Sequence, residues 1–210
     1  PDAAPLSAKS IKNIHGVLHK ALKQAVLIGY LRTNPTEACI LPRIVRKEMH
    51  PLEEDQVAVF LREVQGHPHE YLYKIALFTG LREGEVLGLG WEHIDFQAGT
   101  LTVKRQLRRE QKKGGGYYFS PPKNNKSRCL TLASSVIQLF RLQKLEQNSM
   151  RMEAGDAWEE HGLIFTNQTG GYLSYRTVYD CFKRIIRNIG APATRFHDLR
   201  HTFAVASIKK

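Results

Sequence analysis

The sequence predicts an α+β fold, a mainly helical domain with a small antiparallel sheet, preceded by part of an all-helical unit. Three observations carry this reading. Apolar residues recur at helical spacing over 7–30, through 51–78, and again over 134–147 and 174–189. Between Trp91 and Leu132 the period changes to two. A stretch broken by Asn34-Pro35, Pro42 and Pro51 separates the first helix from the rest. The implied division is 1–47, the C-terminal part of a helical unit plus its linker, and 48–210, a second domain.

The first helix spans "SAKSIKNIHGVLHKALKQAVLIGY". Ile11, Ile14, Leu18, Ala21, Leu22 and Ala25 share one stripe, while Lys9, Lys12, His15, His19, Lys20 and Lys23 cover the opposite face. Four lysines without a carboxylate suit a surface laid along phosphates, whereas a merely soluble face mixes signs. The linker adds Arg43, Arg46 and Lys47. In the second domain, Glu53, Glu54 and Asp55 open a helix with the stripe Val57, Phe60, Leu61 and Val64. A helix over Tyr71–Phe78 ends at Gly80, and "REGEVLGL" restarts a short one. "HIDFQAGTLTVKRQL" reads as a hairpin with Gly99 in the turn and Leu101, Val103 and Leu107 inward. "GGG" at 114–116 is no phosphate-binding loop, because no Gly-Lys-Ser/Thr leads into a helix. It opens a loop, further strand, and a second turn holding Lys123 and Lys126. Helices then resume, the last but one closed by Gly190.

Charge sets the partner class. Thirty-one Lys+Arg against 20 Asp+Glu give a net charge of +11, which favours a polyanion and nucleic acid above all. An anionic membrane surface would want a basic amphipathic anchor with Trp or Phe on its apolar side, and none stands out. The hydrophobic fraction of 42% and charged fraction of 24% are ordinary for a globular domain. No apolar run approaches the ~18 residues of a membrane span, and no secretory signal opens the chain; the expectation is a cytoplasmic protein. Cys39, Cys129 and Cys181 are isolated and suggest neither a disulfide framework nor a zinc site. Both ends read as cut, Pro1 because it is no initiator and Lys210 because it follows a helix barely begun.

That last helix is the most specific stretch. In "TRFHDLRHTFAVASIKK", at about 100° per residue, His197, Arg200 and His201 fall on one face, and Leu199, Phe203 and Ala206 on the other, toward a core. The two histidines have the i,i+4 spacing of a zinc pair, but the Glu of the protease motif is missing and the intervening Arg would repel a cation.

"TGLREGEVLGLGWEHIDF" resembles the first signature of the tyrosine recombinase (phage integrase) family. "PPKNNKSRCLTL" is similar to its hairpin lysine motif, and "HDLRHTFA" to its His-x-x-Arg box. The segment "LSAKSIKNIHGVLHKALKQAVLIGYLRTNP" is similar to the last helices of the family's core-binding domain, in the form found in integrases of conjugative transposons and related phages.

The resemblance implies a site-specific recombinase that cuts and rejoins DNA through a 3′-phosphotyrosyl intermediate, needing no cofactor. Arg82, Lys123, His197 and Arg200 would be catalytic, with Glu85 a buried support for the arginines and His201 a supporting contact. Lys126 competes with Lys123 for the reacting role, and both also fit simple phosphate contacts. Glu85 alternatively forms an ordinary i,i+3 pair with Arg82. The chemistry suits these residue types: attack on phosphorus concentrates charge on two non-bridging oxygens, which guanidinium forks bind bidentately. A lysine can protonate the leaving 5′-oxygen, and a Tyr hydroxyl supplies the nucleophile.

None of the eight tyrosines has the nucleophile's context, all preceding the box. The chain is therefore expected to bind DNA without cutting it alone. Further expectations are double-stranded DNA clamped between the basic helix and the catalytic domain, a homotetrameric synaptic complex, an excisionase-type accessory protein, and association with a bacterial nucleoid. The rivals are a non-catalytic DNA-binding protein that keeps the fold, and a metal-dependent nuclease, for which a carboxylate cluster is missing.

Overall fold

The computed structural model describes residues 5–45, 48–112 and 114–208, and divides into two compact units, Pro1–Glu48 and Met49–Lys210. Arg46 and Lys47, two of the basic residues assigned to DNA, lie outside the described residues.

In the first unit, α1 (Ala8–Leu27) starts where the Ser7 hydroxyl accepts from the Ser10 amide, satisfying one of the orphan donors of a helix start. A 3-10 turn, Pro35–Ala38, folds back onto it. Its cap Asn34 and neighbour Thr36 are buried, and the Thr36 hydroxyl donates to Asn34 Oδ1 at 2.7 Å. This turn corrects one expectation: His15 and His19 do not belong to the phosphate-facing surface. His15 Nε2 donates to the Thr36 carbonyl at 3.0 Å, and His19 Nδ1 meets the Thr36 hydroxyl at 2.8 Å. Buried polar groups need partners, and these two rings supply them. Lys9, Lys20 and Lys23 are exposed, Lys12 is half-buried, and Arg43 is exposed beyond the turn. The apolar stripe is incompletely covered within this unit, with Ile14 and Leu18 exposed.

In the second unit, the order is α2 (Glu54–Glu63), α3 (Glu70–Thr79), α4 (Glu83–Leu87), five short strands, then α5 (Ser134–Ala154), α6 (Tyr175–Asn188) and α7 (Phe196–Ile208). The strands are β1 (Ile94–Asp95), β2 (Thr100–Val103), β3 (Gln106–Arg109), β4 (Tyr117–Ser120) and β5 (Arg128–Thr131). All pairs are antiparallel, in a three-stranded sheet β1-β2-β5 and a separate ribbon β3-β4. The hairpin read from Ile94 to Leu107 thus stops at Val103, and the chain changes sheets at Lys104-Arg105. Arg105 marks the break: its Nε donates to the Gly88 carbonyl at 2.9 Å and its guanidinium lies over the Phe119 ring.

The core explains the helix positions. Phe60, Tyr73, Phe182 and Phe196, from α2, α3, α6 and α7, meet in edge-on and tilted pairs and are all buried. Tyr73 keeps its polar end satisfied by donating to the Val178 carbonyl at 2.8 Å. Helix α3 is buried nearly all round and ends at Gly80, whose φ of +61° is the left-handed stop. Helix α4 then lies against the β3 backbone: a Cβ at Gly88 would sit 2.7 Å from the Leu107 amide nitrogen, and one at Gly84 3.1 Å from the Leu107 carbonyl oxygen. Only glycine permits that approach.

The inward face of α7 differs from the expected one. Phe196, Asp198, Leu199 and Thr202 are buried, whereas Phe203 and Ala206 are exposed. The helix is rotated so that Thr202 faces in, where its hydroxyl accepts from the Leu52 amide at 2.9 Å and donates to the Asp198 carbonyl.

Candidate active site

Arg82 stands at the extended residue (φ −73°, ψ 150°) that begins α4. Three residues on, Glu85 is fully buried and accepts from the Arg82 amide at 2.9 Å and from Arg82 Nη1 at 2.9 Å. Arg128, the first residue of β5, grips the same carboxylate with both terminal nitrogens, at 2.9 and 2.6 Å. Burial alone would raise the Glu85 carboxyl, but the bonds from Arg128 and Arg82 outweigh it and hold it at about 2. Glu85 is thus no ordinary surface pair with Arg82: it is the buried anion that fixes two guanidiniums, and the second of these is Arg128 rather than Arg200.

Arg200 reaches the cluster from α7. Its Nη1 donates to the Gly80 carbonyl at 2.6 Å, tying the box helix to the residues just before Arg82. Burial, Arg82 and Arg128 all lower its pKa, so three guanidiniums crowd the neighbourhood of the buried Glu85 carboxylate, which acts in the opposite direction. His197 is exposed on the first turn of α7, its ring edge-on to His201 at 5.1 Å. Its pKa falls below the ordinary 6.5 through burial and the neighbouring His201, Arg200 and Arg82. The imidazole is therefore neutral at pH 7, able to accept or donate one hydrogen bond. Residues 82, 128, 197 and 200, from three distant stretches of the sequence, carry charges or donors that suit an anion.

No hydrogen bond or ion pair joins Lys123 to that cluster among the described residues. The lysine sits exposed on the 3-10 turn Lys123–Asn125, whose Asn124 and Asn125 have positive φ. Lys126 is likewise exposed. Arg128 is the site residue whose role the sequence reading missed. Its signal was the alternation of Arg128, Leu130 and Leu132, which places a charge in phase with the inward face of a strand.

One tyrosine does approach the cluster. Tyr175 lines a cavity of about 310 Å³ with Arg82 and His197. Its hydroxyl donates to the Leu107 carbonyl, and burial pushes its pKa up. A phenol so tied and so hard to ionise is poorly suited to attack phosphorus. Among the described residues no group of three His, Cys, Asp or Glu is placed to hold a metal ion, and no helix is long and apolar enough to cross a membrane.

A helical domain with a small antiparallel sheet thus presents clustered guanidiniums and an imidazole, groups that suit an anionic partner. Residues 49–210 match the phage integrase family, and the chain belongs to it. It is 28% identical over 214 residues to a tyrosine recombinase XerC-like protein of Caldanaerobacter subterraneus subsp. tengcongensis, covering 94% of this chain and 55% of that protein. An integrase of Streptomyces ambofaciens is also 28% identical, over 96% of this chain and 53% of its own length. The chain thus spans about half the length of the curated relatives it matches. Among solved structures, the Tn1549 transposon integrase in complex with transposon right end DNA shares the fold, with a TM-score of 0.81 at 24% identity, covering 97% of this chain and 68% of that one.

Proposed function

We propose that this chain is the DNA-binding and phosphate-activating part of a site-specific recombinase that integrates and excises a mobile element. The observation that carries the reading is the convergence of Arg82, Arg128 and Arg200 beside the buried Glu85. Arg82 and Arg200 bind the non-bridging oxygens of the scissile phosphate, stabilising the charge that builds on attack. Arg128 and Glu85 hold Arg82 in place, and His197, neutral at pH 7, hydrogen-bonds the phosphate, with His201 supporting its ring. Lys123, on its exposed turn, moves to the leaving 5′-oxygen and protonates it when DNA is bound. The nucleophile is a tyrosine other than the eight in residues 1–210, so this stretch binds DNA without cutting it.

DNA contact extends to Lys9, Lys12, Lys20 and Lys23 of α1, to Arg43, Arg46 and Lys47 of the linker and to Lys126 of the turn. Association with phosphates makes affinity fall steeply with salt. The working assembly is a tetramer on paired attachment sites, in the bacterial cytoplasm at the nucleoid, with an excisionase-type protein setting direction. A nicked suicide substrate incubated with the intact recombinase tests the core of this. The wild type should accumulate a covalent protein–DNA adduct, and Arg82→Ala or Arg200→Ala should lower its rate at least 100-fold while duplex binding persists. Binding with no adduct from the wild type would instead identify a DNA-binding protein that keeps only the fold.

A further inference from the structure

Glu83, the residue between Arg82 and Gly84 in the first signature, is an acid whose place no role above explains. Its side chain lines the cavity of about 310 Å³ shared by Arg82, Gln106, Arg108, Tyr175 and His197. Its Oε1 is buried with no hydrogen-bond partner among the described residues. No neighbour in the cavity bonds that oxygen: Arg82 Nη1 donates to Glu85, the one hydroxyl proton of Tyr175 goes to the Leu107 carbonyl, and Arg108 makes no hydrogen bond or ion pair with it among the described residues. An unpaired buried carboxylate costs far more than a neutral carboxylic acid in the same place.

We propose that Glu83 is a proton-carrying positioning residue: its neutral carboxyl keeps the cavity beside Arg82 and His197 receptive to the DNA phosphate, and its ionisation turns the cavity against anions. The proposal rests on the recombinase reading above. In the neutral state the acid adds a hydrogen-bond donor beside the guanidinium of Arg82. In the ionised state it opposes the phosphate and competes with it for that guanidinium. Burial pushes the Glu83 carboxyl up to about 7, so the two states exchange near neutrality. The charged and titratable groups around it are Arg82 and Glu85 from α4, Tyr73 from α3, Arg108 from β3, Tyr175 from α6 and His197 from α7, with Tyr117 of β4 beyond Tyr175. Of these, His197 titrates below 6.5 and Glu85 at about 2, while burial drives Tyr73 and Tyr175 upward, which leaves Glu83 the group that changes charge between pH 6.5 and 8.5.

The test is the pH profile of adduct formation by the intact recombinase on a suicide substrate. From pH 6.5 to 8.5 the wild-type rate should fall by up to about 25-fold, as expected for one required proton with a pKa near 7. Glu83→Gln, uncharged and isosteric, should match the wild type at pH 6.5 and stay flat to pH 8.5. Glu83→Met, uncharged without a polar end, should also be flat and keeps the test alive if the amide misfolds. A fall in either folded variant parallel to that of the wild type overturns the inference. Arg82→Ala and Arg200→Ala separate the two readings: if both cut at the wild-type rate, the recombinase site itself is wrong, whereas if both are inactive and Glu83→Gln keeps the wild-type slope, only the role of Glu83 fails.

Discussion

Two helices begin at this site in the same way and end up doing different things. At the start of α4, Arg82 donates its amide and its guanidinium to Glu85, three residues on. At the start of α7, Arg195 donates its amide at 2.9 Å and its guanidinium at 2.9 and 2.8 Å to Asp198, again three residues on. Both carboxylates are fully buried and both sit in the first turn, where they also complement the helix dipole. The difference is the third partner. Glu85 also holds Arg128 bidentately, so one carboxylate orders two guanidiniums, and Arg82 keeps donors free for a ligand. Asp198 receives both of its side-chain bonds from Arg195, which is 44% exposed. The α7 device anchors a helix whose proposed phosphate contacts, His197 and Arg200, come later, whereas the α4 device includes Arg82, itself one of the proposed contacts.

The largest break in this comparison is removal of the carboxylates. Glu85→Gln leaves two part-buried guanidiniums without their counter-charge and should cost about 3 kcal/mol, the lower end for breaking a buried pair because both arginines still touch solvent. Asp198→Asn, with one half-exposed partner, should cost about 1–2 kcal/mol. Urea unfolding of both variants reads the difference, and equal losses would mean that Arg128 adds nothing at Glu85. Acid gives a second view. The folded Glu85 carboxyl lies at about 2, against an ordinary 4.5, so its contribution is complete above pH 4.5 and disappears as pH falls through 2. Glu85→Gln should flatten the stability profile in that window.

A sharper cut is Arg→Lys at the partners. Arg128→Lys keeps the charge and loses the two-pronged grip, so Arg82 is no longer fixed from both sides. Adduct formation by the intact recombinase should slow about tenfold, an energetic loss of about 1.4 kcal/mol. Arg195→Lys should leave that rate within about twofold, since Arg195 orients only the start of its helix. A comparable loss in both would make the two devices equivalent.

Legibility in the sequence follows the same line between local and long-range contacts. The α+β arrangement, the Gly80 stop and the strands at 100–103 and 128–131 were readable because period and turn residues are local signals. Arg82 and Glu85 were readable as a pair because they are three residues apart. Arg128 was not, because its partner is 43 positions away and only the fold brings them together. The sheet change at Arg105 and the rotation of α7, which exposes Phe203, were hidden for the same reason: each is fixed by what a distant backbone offers, the Gly88 carbonyl in one case and the Leu52 amide in the other. Lys123 lies on an exposed turn and makes no hydrogen bond or ion pair among the described residues, so its place rests on motif spacing alone.

The smallest effect extends the distinction to α1, where polar side chains turned toward the protein stand beside lysines exposed to solvent. His19 is engaged by the buried Thr36 hydroxyl, while Lys20, the next residue, is exposed. Lys20→Ala should weaken duplex binding a few-fold and reduce the slope of log affinity against log salt by about 0.9, as expected when one phosphate contact is lost. His19→Ala should leave that slope unchanged, because the ring contacts Thr36 rather than a phosphate, and should instead lower the thermal stability of the first unit by leaving a buried hydroxyl short of a partner. Equal changes in the salt slope for the two variants would return His19 to the DNA-facing surface from which the Thr36 contact removes it.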